Sequence, residues 1–141
     1  MDHALTTGSL VKRRNDGTCH VVMTPACDLV LRKDGRPNVD SIILAEVVPE
    51  ETVYVSLKAN ADRKRKLKRN NDKSCYHWLP NSKVADGGYL DFRKLQTARL
   101  DRIGTEYERL DARIAPGFIK DIVSRFSAFY ARQGQPVIGE T

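Results

Sequence analysis

Apolar and polar residues alternate in short runs through the first two thirds of the chain, and the period changes near its end. Residues 9–14 and 18–24 read as two strands around Asn15-Asp16-Gly17, because Asp-Gly between extended runs supplies the positive-φ positions a tight hairpin demands. Side chains alternate with period two, so Cys19, Val21 and Met23 share one face of the second strand and His20, Val22 and Thr24 the other. Both faces carry apolar residues, which predicts a strand covered on two sides. Pro25 removes a ladder donor and ends it, placing Ala26, Cys27 and Asp28 on a turn before an extended run resumes at Leu29-Val30-Leu31. Lys33 to Pro37 reads as a further turn, and Ser41 to Val48 as a central strand that stops at Pro49. Cys75 to Leu79 and Tyr89 to Phe92, the latter after Asp86-Gly87-Gly88, are strands set by turn chemistry, with a last one at Leu95 to Leu100.

The period then shifts. Phe118, Ile119, Ile122, Val123, Phe126, Phe129 and Tyr130 recur at helical spacing, while Lys120, Asp121, Ser124, Arg125 and Arg132 fall on other faces. Pro116 suits a first helical turn and Gly134 a stop, so the pattern predicts an amphipathic helix over about 116–132. A short helix over Asp101–Arg113 would put Ile103, Tyr107 and Leu110 on one side. These elements predict one α+β domain over 1–141: a small antiparallel SH3-like β-barrel or bent sheet over 8–100, a basic insertion at 57–73, and a helical tail over 101–134.

Charge adds a second feature. Lys58 to Lys73 holds eight of the 24 basic residues and two of the 18 acidic ones, so this segment carries the chain's entire net charge of +6. Its helix formers are good but its apolar stripe is thin, limited to Leu57, Ala61 and Leu67, which predicts an exposed helix or loop. A cationic cluster attracts polyanions by counterion release, without reading sequence. Arg63, Lys64, Arg65, Lys66, Lys68 and Arg69 are therefore candidate phosphate contacts, and Tyr76 and Trp78 candidate stacking platforms for bases. The same segment also reads as a solvated linker. No run approaches the roughly 18 apolar residues of a membrane span, and the first ten residues lack a signal pattern, so a cytoplasmic protein is expected.

Three cysteines at irregular spacing make no disulfide framework. Zinc ligands cluster in knuckles such as C-x₂-C, which this chain lacks, and Cys19 and His20 point to opposite faces of a strand. No metal and no cofactor is expected. Cys27 would serve as a nucleophile if His77 drew off its proton and Asp28 oriented that base, but a free cysteine more often packs as a small hydrophobe. Asp28 also suits turn capping, or pairing with Arg32 or Arg93.

The stretch VVMTPACDL resembles the point in PemK/MazF-type toxin barrels where a strand ends in a Ser-Pro turn, a likeness covering about residues 8–48. It implies an SH3-like barrel, and many members of that family cut single-stranded RNA; the family's catalytic Arg and Thr have no clear counterpart here. TPACDL, YHWLP, DGGYLDFR and PGFIKDIVSRFSAFYARQGQP together resemble a group of small bacterial proteins of unassigned activity, associated with signalling or phage-defence operons. Three functions stand open. One is a module binding RNA or DNA phosphates through the basic segment. Another is a toxin-type endoribonuclease using Thr24, Asp28 and His77, with His77 as general acid or base. The third is an adaptor offering its Phe-rich helix to a signalling partner.

Overall fold

The computed structural model describes residues 5–25, 29, 33–35 and 39–133. Strands β1 (Ser9–Arg13), β2 (Cys19–Val22), β3 (Ser41–Val48), β4 (Tyr76–Leu79), β5 (Gly88–Arg99) and β6 (Tyr107–Arg113) form one sheet in the order β4-β5-β3-β2-β1-β6. Every pairing is antiparallel. Helices α1 (Glu50–Leu57) and α2 (Ala61–Lys68) lie between β3 and β4, a single helical turn α3 (Ile103–Glu106) precedes β6, and α4 (Pro116–Gln133) follows it. No helix among the described residues is long and apolar enough to cross a membrane.

The β1–β2 hairpin forms where the sequence places it. Gly17 takes φ 73°, and Asp16 accepts from the Thr18 amide and hydroxyl at 3.0 and 2.7 Å, closing the turn. Both faces of the inner strands are covered, as their two-sided apolar pattern requires. Val21, Ala45 and Val47 join Tyr54, Leu67, Tyr89, Phe92 and Ile122 on one side, while Val11, Val22, Ile42, Leu44 and Tyr107 pack on the other.

The sheet is open rather than a closed barrel, so the bent-sheet form applies; β4 and β6 pair on one side only among the described residues. The bend lies in β5. Ala45 pairs with Leu95 but Glu46 with Asp91, so Phe92, Arg93 and Lys94 bulge from the ladder, joining what the sequence suggested were two strands. Gly88 opens β5 at φ 155°, and a Cβ there would collide with the Val48 carbonyl.

Two local expectations are corrected, and one element appears where the sequence suggested none. Residues 101–113 are helical only as far as Glu106; from Tyr107 the chain is a strand, because β1 offers an unpaired ladder and Tyr107 gains a buried seat edge-on to His20, with its hydroxyl on Gln96. Leu29 is helical and buried rather than the start of a strand, and Val30 and Leu31 lie outside the described residues. Residues 50–57, beyond the stop at Pro49, form α1: Glu50 and Glu51 sit in its first turn, favourable to the helix dipole, and Val53 and Tyr54 bury.

The tail helix α4 follows its predicted period. Ile122 is fully buried and Phe129 nearly so, and Phe126 and Phe129 set their rings 5.5 and 6.2 Å from Phe92. The Phe126/Phe129 face, expected to be open to a signalling partner, is thus turned onto the protein's own core. Phe118, Val123 and Tyr130 are the large apolar side chains that α4 leaves exposed among the described residues.

Candidate nucleic-acid interface

Helix α2 turns the basic segment into a fixed surface. Asn60 caps it by accepting from the Arg63 amide at 2.8 Å, and Leu67 alone anchors it in the core. Every ion pair its cations make among the described residues is internal to the segment. Arg63 holds Asp72 at 2.9 Å, while Arg65 and Lys66 share Asp62 at 3.3 and 3.4 Å. The two acids inside the segment are therefore spent on it, and among the described residues no acid from elsewhere comes within ion-pairing distance of its cations, so salt bridges leave its excess of six positive charges in place. Lys64 and Lys68 lie over the rings of Tyr54 and Trp78, at 5.0 and 5.9 Å from the centroids. Arg69 is exposed at the end of the helix.

Beside α2 runs β4. Its outward backbone groups are sealed by side chains: the Trp78 amide donates to Asn70 Oδ1 at 2.8 Å, and the Tyr76 carbonyl accepts from Arg125 at 2.8 Å. An edge so blocked does not add another strand. Between the end of α2, β4, the 80–87 loop and the first turns of α4 opens a groove of about 530 Å³, lined by Lys68, His77, Trp78, Arg113 and Phe118 among others. It brings together three residues singled out in the sequence: Lys68, His77 and Trp78. Trp78 is half-buried and donates its indole N–H to Glu50 at 2.9 Å, which fixes the ring.

Tyr76 is not part of this surface. It is buried, its hydroxyl accepts from Arg93 at 2.8 Å, and its ring is packed under the Arg93 guanidinium and edge-on to Tyr89. Of the two candidate platforms Trp78 is the one that lines the groove, with Phe118 on the same groove. Behind Tyr76 sits a network the sequence reading missed: the buried Asp91 carboxylate accepts two bonds from the Arg93 side chain, each at 3.0 Å, and a third from the Arg93 amide. The i, i+2 spacing on a strand was its sequence signal; the pairing of Arg93 with Asp28 that the sequence also suggested involves a residue outside those described. Cys75 lies in the same core, where burial pushes its thiol above the ordinary range and disfavours the thiolate.

His77 is buried, and its acid–base state can be read from its partners. A guanidinium only donates, so the 2.9 Å contact from Arg125 makes Nδ1 the acceptor and assigns the ring proton to Nε2, 4.0 Å from Asp121. Burial, then the Arg125 charge, lowers its pKa to about 4, against a smaller opposing pull from Asp121. The His77–Asp121 contact is hence not an ion pair at neutral pH. In this arrangement His77 has neither a free lone pair to accept a proton nor an extra proton to give.

Thr24 lies just past β2, with β3 and β5 between its strand and β4. Its buried hydroxyl accepts the Ile43 amide at 2.8 Å and its carbonyl accepts the Thr7 hydroxyl at 2.6 Å, both bonds that hold the sheet together. Thr24 is not among the described residues that line the groove holding His77. Asp28 and Cys27 lie outside the described residues. Among those described, no three His, Cys, Asp or Glu side chains gather in a metal-binding arrangement.

The chain is similar in fold to a solved MazE-MazF structure. That structure, Form-I from Deinococcus radiodurans, superposes with a TM-score of 0.55 and 12% identity, over 92% of this chain and 99% of the matched one. At that identity the likeness is one of fold. It extends the resemblance seen around TPACDL to nearly the whole domain. No family model and no curated relative matches the sequence.

Proposed function

We propose that the protein binds single-stranded RNA along the face formed by α2 and the β4 groove, with Lys64, Lys68 and Arg69 on phosphates and Trp78 stacked against a base. The observation that carries this reading is the charge excess: among the described residues the acids that pair with the basic segment come from within it, which leaves its +6 excess without salt-bridge partners from the rest of the fold. The MazE-MazF-like fold supports an RNA-related role. Single-stranded rather than duplex nucleic acid suits a groove with an aromatic wall, because stacking requires an unpaired base. Filter binding of oligouridylate across a salt series tests it. Each phosphate contact adds about 0.7 to the slope of log affinity against log salt, so Lys64→Ala/Lys68→Ala/Arg69→Ala should lower the slope by about 2. An unchanged slope sinks the reading.

A toxin-type endoribonuclease is the second reading, favoured by the fold likeness alone. Cleavage of an RNA pool by the wild type, lost in His77→Ala, would establish it; intact RNA under conditions where binding is saturated would exclude it. The similar structure is one of MazE with MazF, which supports a protein partner for this chain too, to be sought by copurification.

A further inference from the structure

Past the end of α2 a further cavity of about 280 Å³, sharing Asn70 with the β4 groove, lies between the 70–74 loop and the later turns of α4. Lys73 from the loop and Arg125 and Arg132 from the helix line it, together with the neutral donors Asn71 and Ser74. Its one acid, Asp72, is held by Arg63 at 2.9 Å. Arg125 is half-buried, and the two acceptors it has found, the Tyr76 carbonyl and His77 Nδ1, are both neutral. Among the described residues no carboxylate lies within ion-pairing distance of it. Asp121, one turn earlier and exposed, offsets only part of its charge, and burial pushes its pKa down. A half-buried cation without a counter-charge is costly to keep, and an anion entering the cavity would supply the missing partner. Two guanidinium forks and an ammonium around a space of this size match the tetrahedral oxygens of phosphate.

We propose that the Lys73–Arg125–Arg132 cavity is a phosphate-binding site. For its source it rests on the RNA-binding reading, as either an internal phosphodiester or a 5′-terminal phosphate of the bound strand. The cavity would then fix the strand's register as it leaves the α2 face.

The test uses the full chain and the double variant Lys73→Ala/Arg132→Ala, both positions being exposed and thus neutral for folding. Inorganic phosphate, added at constant ionic strength, should raise the melting temperature of the wild type and not of the variant. Affinity for oligouridylate should fall on the order of tenfold in the variant, the loss expected for charge-assisted bonds. Tighter binding of a 5′-phosphorylated strand than of its 5′-hydroxyl counterpart identifies a terminal phosphate; equal binding of the two identifies an internal one. An equal phosphate shift in both proteins, or oligouridylate affinity untouched by the double substitution while the wild type binds RNA, overturns the site and leaves the RNA reading standing. Should the wild type ignore RNA yet show a phosphate shift that the variant lacks, the site stands and the RNA reading falls.

Discussion

Two buried histidines make the fold acid-sensitive well above the carboxylate range. His20 is fully buried: one ring nitrogen contacts the Thr18 hydroxyl at 2.8 Å, and the other, Nδ1, has no hydrogen-bond partner among the described residues. Burial lowers its pKa from 6.5 to about 4, Arg13 adds to this and Asp16 opposes it; His77 is held equally low. Above pH 6.5 both rings are neutral in the folded and unfolded chains, and nothing is gained or lost. As the pH falls through 6.5 the unfolded histidines take up protons that the folded ones exclude, so stability drops until the folded rings titrate near pH 4. Between pH 7 and 5 each ring should cost about 2 kcal/mol, and the pair about 4 kcal/mol. Urea unfolding followed by the fluorescence of Trp78, the chain's one tryptophan, measures this directly. His20→Phe keeps an aromatic ring against Tyr107 but cannot titrate, so it should halve the loss. Wild type and variant losing the same stability between pH 7 and 5 would refute the assignment of His20 as a neutral ring.

Other consequences follow from packing. Ile122→Ala empties a fully buried position under α4 and should cost 2–5 kcal/mol in urea unfolding, whereas Phe118→Ala, on the exposed side of the same helix, should change stability by less than about 0.5 kcal/mol. Gly88→Ala drives a Cβ into the Val48 carbonyl at a backbone angle that L residues rarely adopt, and should cost roughly 3 kcal/mol or more; a midpoint within error of wild type would contradict the register of β5. Asn70→Ala removes the acceptor of the Trp78 amide and bares the edge of β4, so it should lower stability by about 1–3 kcal/mol and promote self-association in light scattering.

Local signals in the sequence set several features outright. Asp16-Gly17 can only turn, period-two runs can only bury as strands, and the helical period over 116–132 needs no partner to be recognised. The position of the charge excess is likewise a matter of counting. The fate of Tyr107–Arg113 was different, because its strand pairs with β1 almost a hundred residues away, and no local propensity reports a vacant ladder. α1 escaped notice for a related reason: only Val53 and Tyr54 bury, too few to mark a period. The candidate site divides the same way. Lys68, His77 and Trp78 could be named from composition and spacing, but the neutrality of His77 depends on its burial and then on Arg125, which lies 48 residues on, and the loss of Tyr76 as a platform depends on Arg93. Residue type and spacing thus determined where the strands, the tail helix and the charge fall. Tertiary structure alone decided whether the sheet closes, which cations find acids and which titratable rings are kept dry, since each of these depends on neighbours brought together from distant parts of the chain.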